Sequence, residues 1–120
     1  MERAKNQLGQ NDLEAAGFWI QQSLELAIKG CIISHPEGEL IKEHGLGYLL
    51  KKLLHFYPDF APSLEPYRDF VRKFEPFYIE ARYPMEEMQM PDQKQFRQYL
   101  DTAEQLLKIL TQIAFKQEKP

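Results

Sequence analysis

The stretch from Leu13 to Ser34 constrains the fold more than any other part of the chain. Leu13, Ala16, Ile20, Leu24, Ala27 and Cys31 recur at intervals of three and four, and Phe18, Ile28 and Ile32 widen the stripe. That period belongs to an α-helix with one face turned toward a core. Gln21, Gln22, Glu25 and Lys29 are its polar members. Glu25 and Lys29 stand four apart in the favourable order, a pair worth ~0.3–0.5 kcal/mol if exposed. Gly17 costs about 1 kcal/mol relative to Ala inside a helix, and it permits a close approach by a neighbour. Trp19 lies off the main stripe and is expected to face a partner chain.

The remaining segments are also helical in pattern. Residues 2–10 are polar, with Ala4 and Leu8 one turn apart, and suit a short first helix broken by Gly9 and Asn11-Asp12. Asp12 is the expected N-cap of the long helix. His35-Pro36-Glu37-Gly38 reads as a loop, because proline biases the residue before it away from helix. Leu46, Leu49, Leu50, Leu53 and Leu54 mark a helix over 45–56, ended by Tyr57-Pro58. Ser63 is the expected N-cap of a fourth helix that runs to residue 82 through Leu64, Tyr67, Val71, Phe74, Tyr78 and Ala81. Pro76 should kink or split it. Pro84 and Met85-Glu86-Glu87-Met88-Gln89-Met90 read as a loop. Asp92 and Gln95 stand at capping-box spacing before a clean amphipathic helix from Phe96 to about Gln117. No strand pattern, repeat or linker interrupts this series. The expected fold is all-α, an up-down four-helix bundle with a short additional N-terminal helix, in one domain over residues 1–120.

Composition narrows the function classes. The 120 residues carry a net charge of −3, so no overall basic field draws in nucleic acid, although a local patch can. A single cysteine, Cys31, forms no internal disulfide and fits a reducing cytoplasm; on the apolar stripe it should be a buried, inert thiol. No apolar run approaches the ~18 residues of a membrane span, and the N-terminus lacks the apolar core of a secretory signal. His35, His44 and His55 do not show metal-ligand spacing, and neither a metal nor another cofactor is expected. Nearly half of the aromatics fall between Phe56 and Phe77, which suits a thick core or an aromatic dimer surface.

Phe77-Tyr78-Ile79-Glu80-Ala81-Arg82-Tyr83-Pro84 is the densest concentration of aromatic and polar groups. Arg82 is the first candidate for contact with an anion or a base, since a guanidinium pairs bidentately with phosphate and stacks on rings. Capping of a helix end, or pairing with Glu80 or Glu86, is its structural alternative. Tyr78 and Tyr83 offer stacking faces, or serve as core residues with satisfied hydroxyls. Lys29 either approaches a ligand cleft or forms a solvated bridge to Glu25. His44, just before a helix, is a cap or a proton donor. Lys51-Lys52 with His55 is a small basic patch.

Three segments taken in order resemble the HEPN domain. They are Ala15-Ala16-Gly17-Phe18-Trp19-Ile20-Gln21-Gln22-Ser23-Leu24-Glu25-Leu26-Ala27-Ile28-Lys29-Gly30, then His44-Gly45-Leu46-Gly47-Tyr48-Leu49-Leu50, then Glu80-Ala81-Arg82-Tyr83-Pro84. The last is similar to the Ala-Arg-Tyr-Pro segment of one branch, and the likeness covers residues 4–115. It implies a helical bundle that pairs as a homodimer and binds a nucleotide or RNA, often beside a minimal nucleotidyltransferase in a toxin–antitoxin-like pair. Many members are metal-independent endoribonucleases whose motif is an Arg and a His separated by four to six residues. Arg82 matches the Arg, but Glu87, Met88 and Gln89 occupy the positions of the His. A ribonuclease here would need Arg82 to act with another group, such as His44 or Tyr83. A structural adaptor that binds another protein through exposed aromatics is the remaining reading. The first helix is also shorter than the family usually carries.

Overall fold

The computed structural model describes residues 2–9, 13–77 and 92–118. The expected N-cap Asp12 and the Met85–Met90 loop lie outside them. Every regular element among the described residues is helical, and none is a strand. Six α-helices follow one another: α1 (Glu2–Gly9), α2 (Leu13–Ser34), α3 (Leu46–Phe56), α4 (Ala61–Leu64), α5 (Arg68–Arg72) and α6 (Gln93–Glu118). Helix α2 runs over the residues its periodicity implies. Its apolar stripe is in the core, with Ala16, Ile20, Leu24, Ile28, Cys31 and Ile32 buried. Helix α6 buries Phe96, Leu100, Ala103, Leu106, Leu110 and Ile113. Each Leu, Ile or Phe withdrawn in this way contributes ~1.5–3 kcal/mol.

The cap expected at α6 is present, and the one expected at Ser63 is not. The Gln95 N–H donates to Asp92 Oδ1 at 2.8 Å, and the Asp92 N–H donates to Gln95 Oε1 at 3.2 Å. This reciprocal pair satisfies two N-terminal donors that the helix cannot satisfy itself. Ser63, expected to cap a fourth helix, lies inside α4 instead, whose N-cap is Phe60. The long fourth helix is likewise not formed over its described part. Residues 58–77 are a relay of short pieces: a 3₁₀ turn at Pro58–Phe60, α4, a 3₁₀ turn at Glu65–Tyr67, α5, and a 3₁₀ turn at Glu75–Phe77. The reason is proline spacing. Pro58, Pro62 and Pro66 recur every four residues, and each stands at the first or second position of its piece. A proline deeper inside a helix loses a hydrogen bond and clashes with the preceding turn at ~3 kcal/mol, so no continuous helix can run through all three.

Specific contacts lock the pieces together. The Cys31 thiol donates to the Leu110 carbonyl at 3.1 Å and ties α2 to α6. The buried Tyr57 hydroxyl donates to the Cys31 carbonyl at 2.8 Å and ties the end of α3 to α2. Burial pushes the Cys31 thiol up to about 11, so it stays protonated and inert at neutral pH. Phe70, Phe74, Phe77, Phe96 and Tyr99 form a mostly edge-to-face cluster, with linked centroids between 5.2 and 6.1 Å apart, which fastens the relay to α6. The aromatic-rich segment thus contributes to the core. Trp19 does not stand open for a partner chain: it is half-buried, and the Arg3 guanidinium of α1 lies 4.4 Å from its ring centroid. Lys5 of α1 bridges to Glu104 of α6 at 3.0 Å.

Gly17 does permit a close approach, and the neighbour is an aromatic ring. A Cβ on Gly17 would overlap the ring of buried Phe77. Gly17→Ala gains about 1 kcal/mol of helix propensity. It also overpacks a filled site, which typically costs ~1–3 kcal/mol. We expect a net loss of stability in urea unfolding, partly recovered when Phe77→Leu is added. A stabilised Gly17→Ala variant would show that the ring yields freely.

Candidate functional site

Glu25 stands at the centre of the most connected polar group in the described chain. It lies on α2, with Gln21 one turn before it and Lys29 one turn after, so the three share a face. Glu25 is 6% exposed and Gln21 is fully buried. A carboxylate in that position needs partners, and it has three. Gln21 Nε2 donates to Oε1 at 2.8 Å. Lys29 Nζ lies 3.1 Å from Oε2, and His44 Nδ1 lies 2.8 Å from the same oxygen. Gln22 Nε2 extends the chain by donating to Gln21 Oε1 at 2.6 Å. Burial pushes the Glu25 carboxyl up, but hydrogen bonds from His44, Gln21 and Lys29 outweigh it and hold the group below the ordinary carboxylate range.

His44 reaches Glu25 from the end of the connection between α2 and α3, 19 residues along the chain. It is not the cap of α3. That position is Gly45, which makes no side-chain capping bond. The N-terminus of α3 is capped from a distance instead: the Gly47 N–H donates to Glu75 Oε1 at 2.8 Å. A carboxylate there complements the positive end of the helix. A Cβ on Gly47 would come within 2.8 Å of Arg72 Nε and 3.2 Å of Glu75 Oε1, so those side chains would have to shift to admit one. Arg72 and Glu75 therefore lie against the first turn of α3, immediately after His44.

Of the residues singled out in the sequence, Lys29 and His44 meet on one carboxylate, while Tyr78, Arg82 and Tyr83 lie outside the described residues. The Lys29–Glu25 pair is present, but it is mostly buried, not solvated. Its charge is therefore engaged before any ligand arrives. His44 Nδ1 and Glu25 Oε2 share a hydrogen bond at 2.8 Å, which fixes the orientation of the imidazole ring. Gln21 and Glu75 are the partners the sequence reading missed. Gln21 carried a signal, its four-residue spacing from Glu25; Glu75 carried none, being 28 residues from Gly47. Among the described residues no group of His, Cys, Asp and Glu could hold a metal ion. No described helix is long and apolar enough to cross a membrane.

Comparison with known proteins places the chain in a family. The HEPN domain profile matches residues 1–113, nearly the whole chain. No curated protein and no solved structure matches the chain significantly.

Removing the Glu25 carboxylate strips Lys29 and His44 of a shared partner and leaves Gln21 with an unmet donor. We expect Glu25→Ala to destabilise the fold by ~2–4 kcal/mol in urea unfolding, and a loss below ~0.5 kcal/mol would contradict the central role given to the carboxylate. The pH dependence has a definite sign. The folded-state pKa of Glu25 is depressed, so the unfolded chain binds the proton more readily. This stability is fully present above the ordinary value of ~4.3 and is lost as pH falls through the folded value. Glu25→Gln should flatten that acid limb.

Proposed function

This chain belongs to the HEPN domain family, and we propose that it is a homodimeric nucleotide- or RNA-binding protein that partners a minimal nucleotidyltransferase in a toxin–antitoxin-like pair. The observation that carries the reading is the family match over residues 1–113. It suggests nucleotide- or RNA-related function at the level of the family. The Ala81-Arg82-Tyr83-Pro84 segment supports the narrower branch and supplies the ligand contacts. Arg82 pairs with phosphate, and Tyr78 and Tyr83 offer rings to a base. Lys29 and His44 complete the candidate set through their shared carboxylate. The architecture is read as an up-down four-helix bundle in which the pieces between Ala61 and Phe77 take the place of one helix, and the protein is read as cytoplasmic.

Leu26, Ile33 and Phe115 are 69%, 53% and 58% exposed. A second copy of the chain would cover this apolar face in the homodimer. Helices α2 and α6 form an apolar groove there, open at Gly30, where an added Cβ would meet nothing.

Binding of labelled ATP and of RNA tests the ligand reading. A guanidinium–phosphate bond contributes ~1.5–3 kcal/mol, so Arg82→Ala should weaken binding about ten- to a hundredfold with the melting temperature unchanged. Absence of binding to both probes would sink the reading. Sedimentation tests the assembly: the wild-type chain should run as a dimer and Ile33→Glu as a monomer, and a monomeric wild type would remove the homodimer from the proposal.

A further inference from the structure

We propose that the outward face of α3 is a docking surface for single-stranded RNA, with Lys51 and Lys52 on backbone phosphates and Tyr48 stacking on a base. The proposal rests on the RNA-binding reading above and extends it to a surface that lies apart from Arg82 in the sequence. Leu46, Leu49, Leu50 and Leu53 turn the other face of α3 into the core. Tyr48, Lys51, Lys52 and His55 recur at intervals of three, one and three and so form one row along the opposite face. These four residues line an open groove of about 300 Å³.

No carboxylate among the described residues offsets the cations of that row. From His44 to Pro58 there is no Asp or Glu, although the whole sequence has 18 of them. Lys5, Lys29 and Arg68 each have a carboxylate within 4 Å. Arg3 and Lys73 lie over the rings of Trp19 and Tyr99. Lys51 and Lys52 have neither kind of partner among the described residues, so two adjacent like charges stand uncompensated on an otherwise acidic molecule. An anion bound there relieves their repulsion. Tyr48 is 46% exposed and its ring meets no other ring among the described residues. Cations interleaved with an open aromatic face match a strand that offers phosphates and bases in alternation, and such a surface tolerates sequence variation. Lysines hold phosphate as mobile point charges, which suits a flexible strand.

The test is a salt series of fluorescence anisotropy with a short labelled oligouridine. It compares the wild-type chain, Lys51→Ala/Lys52→Ala, Tyr48→Ala and Arg82→Ala, with melting curves as the control for folding. Each phosphate neutralised on a single strand contributes ~0.7 to the slope of log affinity against log salt, so the double variant should lose about 1.4 of that slope and at least about tenfold in affinity. Tyr48→Ala should lose about tenfold with the slope unchanged. Wild-type affinity and slope in both variants would overturn the α3 surface, while loss in Arg82→Ala alone would leave the proposed function standing. Displacement of the RNA by oligoglutamate at equal charge would also overturn it, because the face would then select charge and not a nucleic acid. Failure of the wild-type chain to bind any RNA would overturn the α3 surface, and the proposed function would then stand or fall on nucleotide binding.

Discussion

A carboxylate held almost out of water on α2 decides how the chain returns after the connection from Ser34 to Leu46. Glu25 can remain ionised at that depth only if donors surround it, and its own helix supplies two, Gln21 and Lys29. The third, His44, must come from the far end of the connection. Its bond sets the starting point of α3. From there one constraint leads to the next. The uncapped N-terminus of α3 takes Glu75 as a partner, Glu75 opens the turn that carries Phe77, and Phe77 fits against Gly17 back on α2. A polar contact and an aromatic contact thus close a loop that begins and ends on the same helix.

Two kinds of energy divide the work. Apolar burial on α2, α3 and α6 supplies most of the stability, but burial is non-directional and tolerates alternative registers. The directional groups choose among them. The Cys31 thiol on the Leu110 carbonyl and the Tyr57 hydroxyl on the Cys31 carbonyl are examples, since each satisfies a particular atom at a particular place. No buried side-chain nitrogen or oxygen among the described residues lacks a hydrogen-bond partner. Such networks stabilise little when complete and destabilise strongly when broken, which makes them effective at specifying one arrangement.

The same economy bears on where a ligand can act. Lys29 is charged but already paired, so it contributes to a site by holding Glu25 and through it His44. The cations that remain unpaired on α3 are better placed to meet an anion from solution. Position in a network therefore matters as much as residue type. The sequence marks Lys29 and His44 as candidate contacts and Lys51-Lys52 only as a small basic patch, and the structure separates the four into an internal and an outward pair.

The sequence by itself determined the long helices and one of their caps. Periodicity placed α2, α3 and α6, and the Asp92–Gln95 spacing placed the start of α6, because both signals act between residues within a turn or two of one another. It also carried three segments that resemble a family, in the right order. Local signals failed where several competed: Leu64, Val71 and Phe74 keep helical spacing, but Pro58, Pro62, Pro66 and Pro76 break the segment into short pieces, and Ser63 lies inside one of them. Tertiary structure alone decided the partners that are distant along the chain. Glu75 on Gly47, His44 on Glu25, Arg3 on Trp19 and Phe77 on Gly17 have no local spacing to announce them, since each depends on where two separately formed elements meet. A helix can be read from its own period, but the group that faces it across the core is set only when both have been packed.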